Sequence, residues 1–422
     1  MRRLGKYSIG LGDRFGRQGR AQLRALEMAR GLGVEVAPVW NKSHREHTLL
    51  HSQPASVRRE ADEATAALGW PGDYHVDADH IRLATVAPFL ETHDFFTLDI
   101  ADFIGQPDGP DDAHAFITRH HDLASKLEIP GLDEPQSFSP EGLAVVVRRY
   151  LPAVREAGRI YRRIASARGA GSFITEISMD EVAAPQTPEE LLVILTAVAD
   201  EGIPLQTIAP RFSGLFAKGV DYQGDVAQLA GEVDRHLCVL RHARRALGLP
   251  ADLKLSVHSG SDKLSLYGPL RRILRRHDAG IHLKTAGTTW LEELIGLCES
   301  GGDALAMVKE IHAGARGRLR ELCGPYASVL ALDPARLPPL ETVAGWGGAT
   351  FARALRHDPA CPGYDPHLRQ LLHVAYPLAG EMGARFLEAL DRHAETVARN
   401  VTANIFERHL RPLFLDDRDA AA

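Results

Sequence analysis

The feature that most constrains this sequence is a strict alternation of short β-type runs with longer helical segments. Eight runs have strand character, and they span residues 6–11, 34–40, 74–80, 94–102, 172–180, 204–212, 254–258 and 281–284. A helical pattern follows each run, and βα alternation implies parallel strands joined by right-handed crossovers. Eight such units match the strand count and the usual size of a (β/α)8 barrel of the TIM type. We therefore predict an α/β fold of this class.

An open, doubly wound sheet is the rival architecture. It requires a G-x-G-x-x-G turn after the first strand, and the glycines of GLGDRFGRQG fall at other spacings. Beyond residue 300 the pattern is helical, with no further strand signal. The sequence therefore predicts a barrel carrying the active site over residues 1–300 and a helical extension over 301–422, packed on the barrel or on a second subunit.

Composition limits the possible partners. The 422 residues carry a formal net charge of −6, which gives no reason to expect nucleic acid or an anionic membrane as a partner. The N-terminal stretch has no apolar run of the signal-peptide kind. The four cysteines lie far apart without a C-x-x-C spacing, which favours a reducing cytoplasm over a disulfide scaffold. We expect a cytoplasmic protein that acts on a small molecule and is able to form a homo-oligomer.

Polar side chains stand at nearly every predicted strand end, which is where barrel enzymes place their sites. They are Asp13, Arg14, Asn41, Lys42, Ser43, Asp77, Asp79, His80, Asp99, Glu176, Asp180, Arg211, His258, Ser261, Asp262, Lys263, His282, Lys284 and Thr285. Strands do leave a core into polar loops, so one or two such residues would be chance. A full ring favours a polar pocket that holds a metal ion.

Imidazole and carboxylate are the ligands that divalent transition metals prefer. Glu176, His258 and His282 are the predicted ligands, because three ligands with open positions are typical of a catalytic site. Their residue types do not distinguish Zn, Mn, Ni and Co. Each also has a plain alternative as a hydrogen-bonded core histidine or as a carboxylate paired with a basic residue. Asp77, Asp79 and His80 are reserves, although strand alternation turns His80 away from the aspartates unless the strand ends first.

Basic and polar side chains around the same rim indicate an acidic or polyhydroxylated substrate. Arg211 is suited to clamp a carboxylate, although a strand-end arginine is also common on a surface. The remaining predicted substrate-binding residues are Asp13, Arg14, Lys42, Ser43, Lys263 and Thr285. The sequence has neither a P-loop nor a glycine-rich dinucleotide loop, so neither ATP nor NAD is implied.

Long motifs in this chain resemble the tagaturonate epimerases of bacterial hexuronate catabolism. The motifs are GLGDRFG (10–16), NKSHREHTLL (41–50), HVDADHI (75–81), FITEISMDE (173–181), IAPRFSGLFAKGVDYQGD (208–225), SVHSGSDK (256–263) and HLKTAGTTWLE (282–292), with a weaker likeness in HVAYPLAGEMG (373–383). The resemblance implies a metal-dependent epimerase that interconverts D-tagaturonate and D-fructuronate.

The chemistry of that reaction favours a retro-aldol route. The two sugar acids differ at the carbon β to the ketone, whose C–H bond the carbonyl does not acidify. Breaking the bond between the α and β carbons, rotating the aldehyde and re-forming the bond inverts this carbon. A metal acting as a Lewis acid would stabilise the enediolate. Asp79 or Asp77 is the predicted base for the β-hydroxyl, with Lys284 as electrostatic support.

Two other classes of function fit the same features. A class II-type aldolase or a ketose isomerase would share the metal chemistry, and only the products separate them from an epimerase. A non-catalytic sugar-acid binding protein is the third possibility. The full ring of acid–base residues argues against it, because binding alone requires no base.

Overall fold

The computed structural model describes residues 2–107 and 110–415, and its centre is a closed barrel of eight parallel strands. The strands are β1 (Tyr7–Gly12), β2 (Ala37–Ser43), β3 (His75–Ile81), β4 (Phe95–Asp99), β5 (Ile174–Ser178), β6 (Thr207–Ala209), β7 (Lys254–His258) and β8 (Ile281–Lys284). Each strand pairs with its sequence neighbours, and β1 closes the barrel on β8 with Ser8 opposite His282. The predicted (β/α)8 class is confirmed.

Nine α-helices lie in the described residues of the barrel portion, most of them between successive strands. They are α1 (Gly19–Gly31), α2 (His44–Leu49), α3 (Ala55–Leu68), α4 (Pro110–Arg119), α5 (Pro140–Arg168), α6 (Pro188–Asp200), α7 (Val226–Ala246), α8 (Leu264–His277) and α9 (Thr289–Ser300). Helix α6 begins as its sequence indicates: the Thr187 hydroxyl accepts from the Glu190 backbone, and the Glu190 carboxylate accepts from the Thr187 backbone.

Several predicted strand boundaries differ from the observed ones, and proline accounts for the largest difference. Strands β7 and β8 have the predicted ends, but β6 covers only Thr207–Ala209 of the predicted 204–212. Proline lacks the N–H that a central strand donates, and Pro204 and Pro210 flank the short strand. The helical segment expected after the third strand forms only a single 3-10 turn, Ala87–Phe89.

The helical extension packs directly on the barrel's outer helices. It contains α10 (Gly302–Gly317), α11 (Leu319–Cys323), α12 (Leu340–Ala344), α13 (Gly348–Leu355), α14 (Pro366–Val374), α15 (Tyr376–Met382), α16 (Ala384–Arg392), α17 (Ala394–Ile405) and a π-helical segment, Phe406–Leu415. Helix α17 contacts α9 and α1. The Trp290 indole N–H donates to the Leu372 carbonyl at 2.6 Å, and the Thr402 hydroxyl donates to the Ala21 carbonyl at 2.8 Å. The domain boundary at residue 300 stays a prediction.

Two further observations bear on the expectations from composition. All four cysteines are free thiols. In the described ranges no helix combines the length and the apolar character that crossing a bilayer requires.

Candidate active site

A cavity of about 870 Å³ opens at the C-terminal ends of the strands. The loops that follow the strands form most of its wall, and the helical extension adds Tyr326, Val329 and His373. Its position is the usual one for a barrel enzyme, and its size suits a small-molecule ligand.

A buried cluster of opposite charges forms the floor of this cavity. The Lys284 ammonium lies 2.6 Å from Asp77, 3.0 Å from Asp79 and 3.1 Å from Glu176, and it also donates to the Thr97 hydroxyl. We call Lys284, Asp77, Asp79 and Glu176 the site cluster.

Electrostatics within the site cluster reflect an excess of carboxylates over ammonium groups. Burial raises the pKa of Asp77 to about 7; Lys284 opposes that shift, and the charges of Asp79 and Glu176 add to it. The pKa of Lys284 is raised although burial acts against it, because Asp77, Glu176 and Asp79 surround the ammonium. One ammonium group thus faces three carboxylates, which leaves the region with an excess of negative charge.

Three side chains beside the site cluster form a possible metal centre. Donor atoms of His80, Asp180 and His258 all lie within 4.8 Å of one another. The Asp180 Oδ1 atom is 3.1 Å from His258 Nδ1 and 3.5 Å from His80 Nε2. Two imidazole nitrogens and one carboxylate are a usual donor set for a catalytic transition metal.

The orientation of the two imidazoles fits metal binding. His258 Nε2 lies 2.9 Å from the Glu176 carboxylate, and His80 Nδ1 lies 2.7 Å from Asp79. When these nitrogens donate their protons to the acids, His258 Nδ1 and His80 Nε2 keep their lone pairs. Both of those atoms are buried without a hydrogen-bond partner. A ring N–H held by a carboxylate, with the other nitrogen free, is the usual arrangement of a metal-binding histidine.

The pKa values of the same two imidazoles show that their surroundings favour a positive charge. Burial would lower the pKa of His80, but Asp79 and Asp180 raise it well above its usual value. Asp180 and Glu176 likewise raise the pKa of His258 against the effect of burial. A bound cation would meet the same attraction.

An irregularity in β3 brings His80 into this group. The register between β3 and β4 shifts between Ala78 and Ile81, and His80 has a positive φ of 49°. Histidine adopts this left-handed conformation only uncommonly, at a strain of about 1–3 kcal/mol. In a regular strand, His80 and Asp79 would point to opposite faces. The distortion breaks this alternation and places the imidazole beside Asp79.

A family of known proteins matches almost the whole chain. The family described as tagaturonate epimerase matches residues 2–413.

The chain belongs to the tagaturonate epimerase family.

Relatives of this tagaturonate epimerase family member agree with the assignment. A tagaturonate/fructuronate epimerase of Thermotoga maritima is 25% identical over 423 residues, covering 96% of this chain and 80% of the relative. The glycerol complex of a fructuronate-tagaturonate epimerase from Cohnella laeviribosi is similar with a TM-score of 0.79 and 24% identity, covering 96% of this chain and 81% of that one. The native form of that protein gives a TM-score of 0.78, with coverage of 98% and 82%. Epimerases are isomerases, so the predicted enzyme class is confirmed.

The predicted ligand set overlaps the possible metal centre in one residue, His258. Glu176 lies behind His258 and also accepts from Lys284 and from the Thr207 hydroxyl. His282 precedes Lys284 by two residues on the same face of β8 and is therefore one step deeper in the barrel. Its Nδ1 lies 2.9 Å from the Ser8 hydroxyl, and burial lowers its pKa to about 3. Ligation by Glu176 or His282 stays a prediction.

Sequence reasoning placed Asp180 at a strand end but did not select it as a ligand. It lies two residues beyond the last residue of β5, outside the regular alternation that the argument used. Its neighbour in the metal centre, His80, was only a reserve.

The predicted substrate-binding residues, apart from Lys263, line the cavity of this tagaturonate epimerase family member, but several are engaged in local structure. The Asp13 carboxylate accepts from the backbone N–H groups of residues 15–18 at 2.5 to 3.0 Å. The Ser43 hydroxyl caps α2 through a capping box. The Lys42 ammonium, whose pKa burial lowers, donates to the Arg14 carbonyl at 2.6 Å.

The other two basic residues of the predicted rim, Arg14 and Arg211, are held by different kinds of partner. The Arg14 guanidinium lies 3.1 Å from Glu46 and stacks on the Tyr376 ring. Arg211 lines the cavity while its guanidinium donates to the backbone carbonyls of Asp180 and Gly214 at 3.3 and 3.2 Å.

Thr285 and Lys263 complete the predicted set. Thr285 has a positive φ of 51°, and its hydroxyl accepts from the Asn41 amide at 2.8 Å. Lys263 is fully buried, and its ammonium donates to the carbonyls of Ala217 and Val220 at 3.0 and 2.8 Å. It supports a loop from below instead of facing the cavity.

Proposed function

We propose that this protein is a metal-dependent epimerase that interconverts D-tagaturonate and D-fructuronate by retro-aldol chemistry. The observation that carries the proposal is the pair of imidazoles, His80 and His258, each held by a carboxylate and each turning toward Asp180 a second nitrogen that forms no hydrogen bond. The substrates named for the Thermotoga maritima relative supply the identity of the sugar acid.

The metal would be held by His80, Asp180 and His258. Three carboxylates (Asp77, Asp79 and Glu176) lie within 3.1 Å of the Lys284 ammonium, and Asp180 lies 3.1 Å from His258, so a divalent ion would relieve the excess negative charge. A divalent ion bound here supplies Lewis-acid polarisation of the substrate ketone.

The protein's own residues would supply the proton transfer and the remaining electrostatic stabilisation. Asp79 lines the cavity, whereas Asp77 is fully buried beneath it and is not among the lining residues. Asp79 is therefore the better placed base: it accepts the proton of the β-hydroxyl as the α–β carbon bond breaks, and returns it after the aldehyde has rotated. The Lys284 ammonium stabilises the negative charge that develops on the other fragment.

Metal removal is the first test of this function. Dialysis against a chelator should abolish epimerisation, and a divalent transition metal should restore it. Asp180→Asn and His258→Ala should lose bound metal and activity together while staying folded, whereas His282→Gln should keep its metal. Elemental analysis and circular dichroism measure both properties. Full metal occupancy in Asp180→Asn, or loss of metal in His282→Gln, would return the ligand assignment to the set predicted from sequence.

Glu176 gives an intermediate result in the same experiment. The Glu176 carboxylate orients the His258 ring. Glu176→Gln should therefore weaken metal affinity by about 10- to 100-fold without removing a ligand. Metal titration of the apo-protein measures this difference.

Isotope exchange tests the bond-breaking step. A retro-aldol route never breaks the C–H bond of the inverted carbon, so turnover in deuterated water should leave that carbon unlabelled. Deuterium at this position, measured by NMR, would exclude the route. Accumulation of three-carbon fragments in place of the epimer would identify an aldolase instead.

The cellular location and the oligomeric state of the protein both stay proposals. The free state of all four cysteines supports a cytoplasmic location. A homo-oligomeric state stays a prediction that sedimentation would test.

A further inference from the structure

Most basic side chains of the cavity wall already have partners. Arg14 is paired with Glu46, Lys42 with a backbone carbonyl, and Arg82 with Asp99 at 2.7 Å. Such groups are less available to a substrate carboxylate, because binding it would require them to leave an existing partner.

Lys218 differs from these residues. It lines the cavity and is half-buried, and within the part of the chain that the structure describes its ammonium forms no ion pair or side-chain hydrogen bond. Sequence reasoning selected Lys263 for the rim and did not consider Lys218. The two lysines occupy opposite faces of one loop, with Lys263 beneath it and Lys218 on the cavity side.

The backbone at Lys218 is held firmly from several directions. Its N–H donates to the Val329 carbonyl at 2.8 Å. The next residue, Gly219, donates to the Ser261 hydroxyl at 3.1 Å and accepts from the buried Arg369 guanidinium at 2.5 Å. The Lys263 ammonium donates to the carbonyls of Ala217 and Val220, which lie on either side of Lys218 and Gly219 in the chain. Because the backbone is already fixed, the conformational entropy lost on binding a ligand is limited to that of the Lys218 side chain.

The position of the Lys218 ammonium relates it to the metal centre. A Cβ added to Gly260 would lie 3.0 Å from Lys218 Nζ, so the ammonium rests against the loop that leaves β7. Gly260 follows the metal-centre residue His258 by two positions, a span of at most about 7 Å along the chain. An open-chain ketohexuronate carries its ketone and its carboxylate on either side of three carbons, which is a comparable separation.

His373 of helix α14 brings a second donor from the helical extension. It lines the cavity, and its Nδ1 atom is buried without a hydrogen-bond partner. Burial, together with the charges of Arg14 and Lys218, lowers the pKa of His373 and keeps the ring neutral. The ring approaches the Lys218 loop closely, because a Cβ on Gly219 would lie 3.2 Å from the His373 Cβ.

We propose that Lys218 and His373 bind the carboxylate of the sugar-acid substrate. This assignment rests on the proposed function and names the group that selects acids over neutral ketohexoses. The ammonium supplies the countercharge, and the Nδ1–H tautomer of His373 donates a hydrogen bond. The helical extension is then part of the active site, since it supplies His373 directly and holds the Lys218 backbone through Val329 and Arg369.

Substrate selectivity tests the assignment. Lys218→Met should lower kcat/KM for D-tagaturonate by roughly 10- to 150-fold, the range for loss of a hydrogen bond to a charged group. Turnover of D-tagatose, which lacks the carboxylate, should change less than about threefold, and bound metal should not change. Lys218→Arg should recover part of the loss. His373→Phe should show the same selectivity at roughly 2- to 12-fold. Arg211→Met is the matched control, and its loss should not be selective for D-tagaturonate.

Three results would overturn it. They are equal losses on both sugars in Lys218→Met, a selective loss in Arg211→Met in its place, and a loss of metal in Lys218→Met.

A binding measurement separates this inference from the proposed function. Calorimetry with D-gluconate and D-glucitol, which differ only in the carboxylate, requires no turnover. If the wild type epimerises neither hexuronate but Lys218→Met weakens binding of gluconate alone, the carboxylate site stands and the proposed function fails. Equal effects on the two probes would reject the carboxylate site.

Discussion

Two clusters of buried charge, one that includes Lys284 at the end of β8 and one that includes Asp262 beyond β7, are built in opposite ways. In the site cluster, the Lys284 ammonium faces three carboxylates, and the adjoining His80 and His258 each keep a nitrogen that forms no hydrogen bond. Both imidazoles and Lys284 line the cavity. The cluster is rich in negative charge and open to a ligand.

The second cluster, which we call the anchor cluster, consists of Asp262, Arg369, His357 and His409. The fully buried Arg369 guanidinium donates to Asp262 and to the Thr288 hydroxyl, both at 2.8 Å. It also bonds the carbonyls of Gly219 and Leu355.

The anchor cluster joins the barrel to the helical extension. Asp262 follows β7, whereas Arg369, His357 and His409 come from beyond residue 300. One carboxylate meets one guanidinium, so the charges balance, and none of the four residues is among those lining the cavity.

The contrast shows that buried charge does not by itself identify a functional site. Both clusters are buried, and both perturb the pKa values of their members. The distinguishing features of the site cluster are its surplus of negative charge and its access to a cavity. A structural cluster satisfies its members internally, because an unpaired buried charge destabilises the fold.

The largest expected effect is on the reaction rate and lies in the site cluster. Asp79→Asn should lower kcat by about 10²- to 10⁴-fold, because proton transfer is lost. Asp79 also holds the His80 ring, so metal affinity should fall by about 10- to 100-fold and kcat is measured at saturating metal, while the fold stays intact. Asp99→Asn is the matched control, since this carboxylate also lines the cavity but is held by Arg82. Wild-type turnover in Asp79→Asn would move the base to another residue.

The next effect is on stability and lies in the anchor cluster. Arg369→Met should lower the free energy of unfolding by about 3–5 kcal/mol, because it leaves the Asp262 carboxylate buried without its countercharge. The double variant Asp262→Asn/Arg369→Met should recover part of that loss. Denaturant titration measures both, and the folded protein should still bind metal. An unchanged midpoint in Arg369→Met would show that the pair is not the link between barrel and extension.

The smallest effect is a pH dependence of the anchor cluster. Burial and Arg369 lower the pKa of His357, although Asp262 opposes the shift. The unfolded chain, with a pKa of about 6.5, therefore takes up the proton first as pH falls. The contribution of His357 is fully present above that value and is lost as pH falls toward its lower folded-state pKa.

His357→Gln should accordingly make the decline in stability between pH 7 and pH 5 less steep, by at most about 1.4 kcal/mol per pH unit. Unfolding curves at several pH values measure the slope. A steeper decline in the variant would mean that His357 is protonated in the folded protein.

The sequence by itself determined the barrel and much of its chemistry. Eight βα units are a local signal, because strand and helix periodicity depend on neighbouring residues alone. The rule that sites lie at the C-terminal strand ends then placed Asp79, His258 and Lys284 together, and the structure has all three at the cavity.

Only the tertiary structure decided which side chains converge and which merely support them. His80 enters the metal centre through a positive φ, and Asp180 enters from beyond the end of a strand. Lys218 and Lys263 take opposite sides of one loop, and His373 arrives from a helix more than a hundred residues beyond β7. Such positions depend on register shifts, loop paths and contacts distant in sequence. A pattern of period two or 3.6 carries no record of them, because it describes only the residues adjacent along the chain.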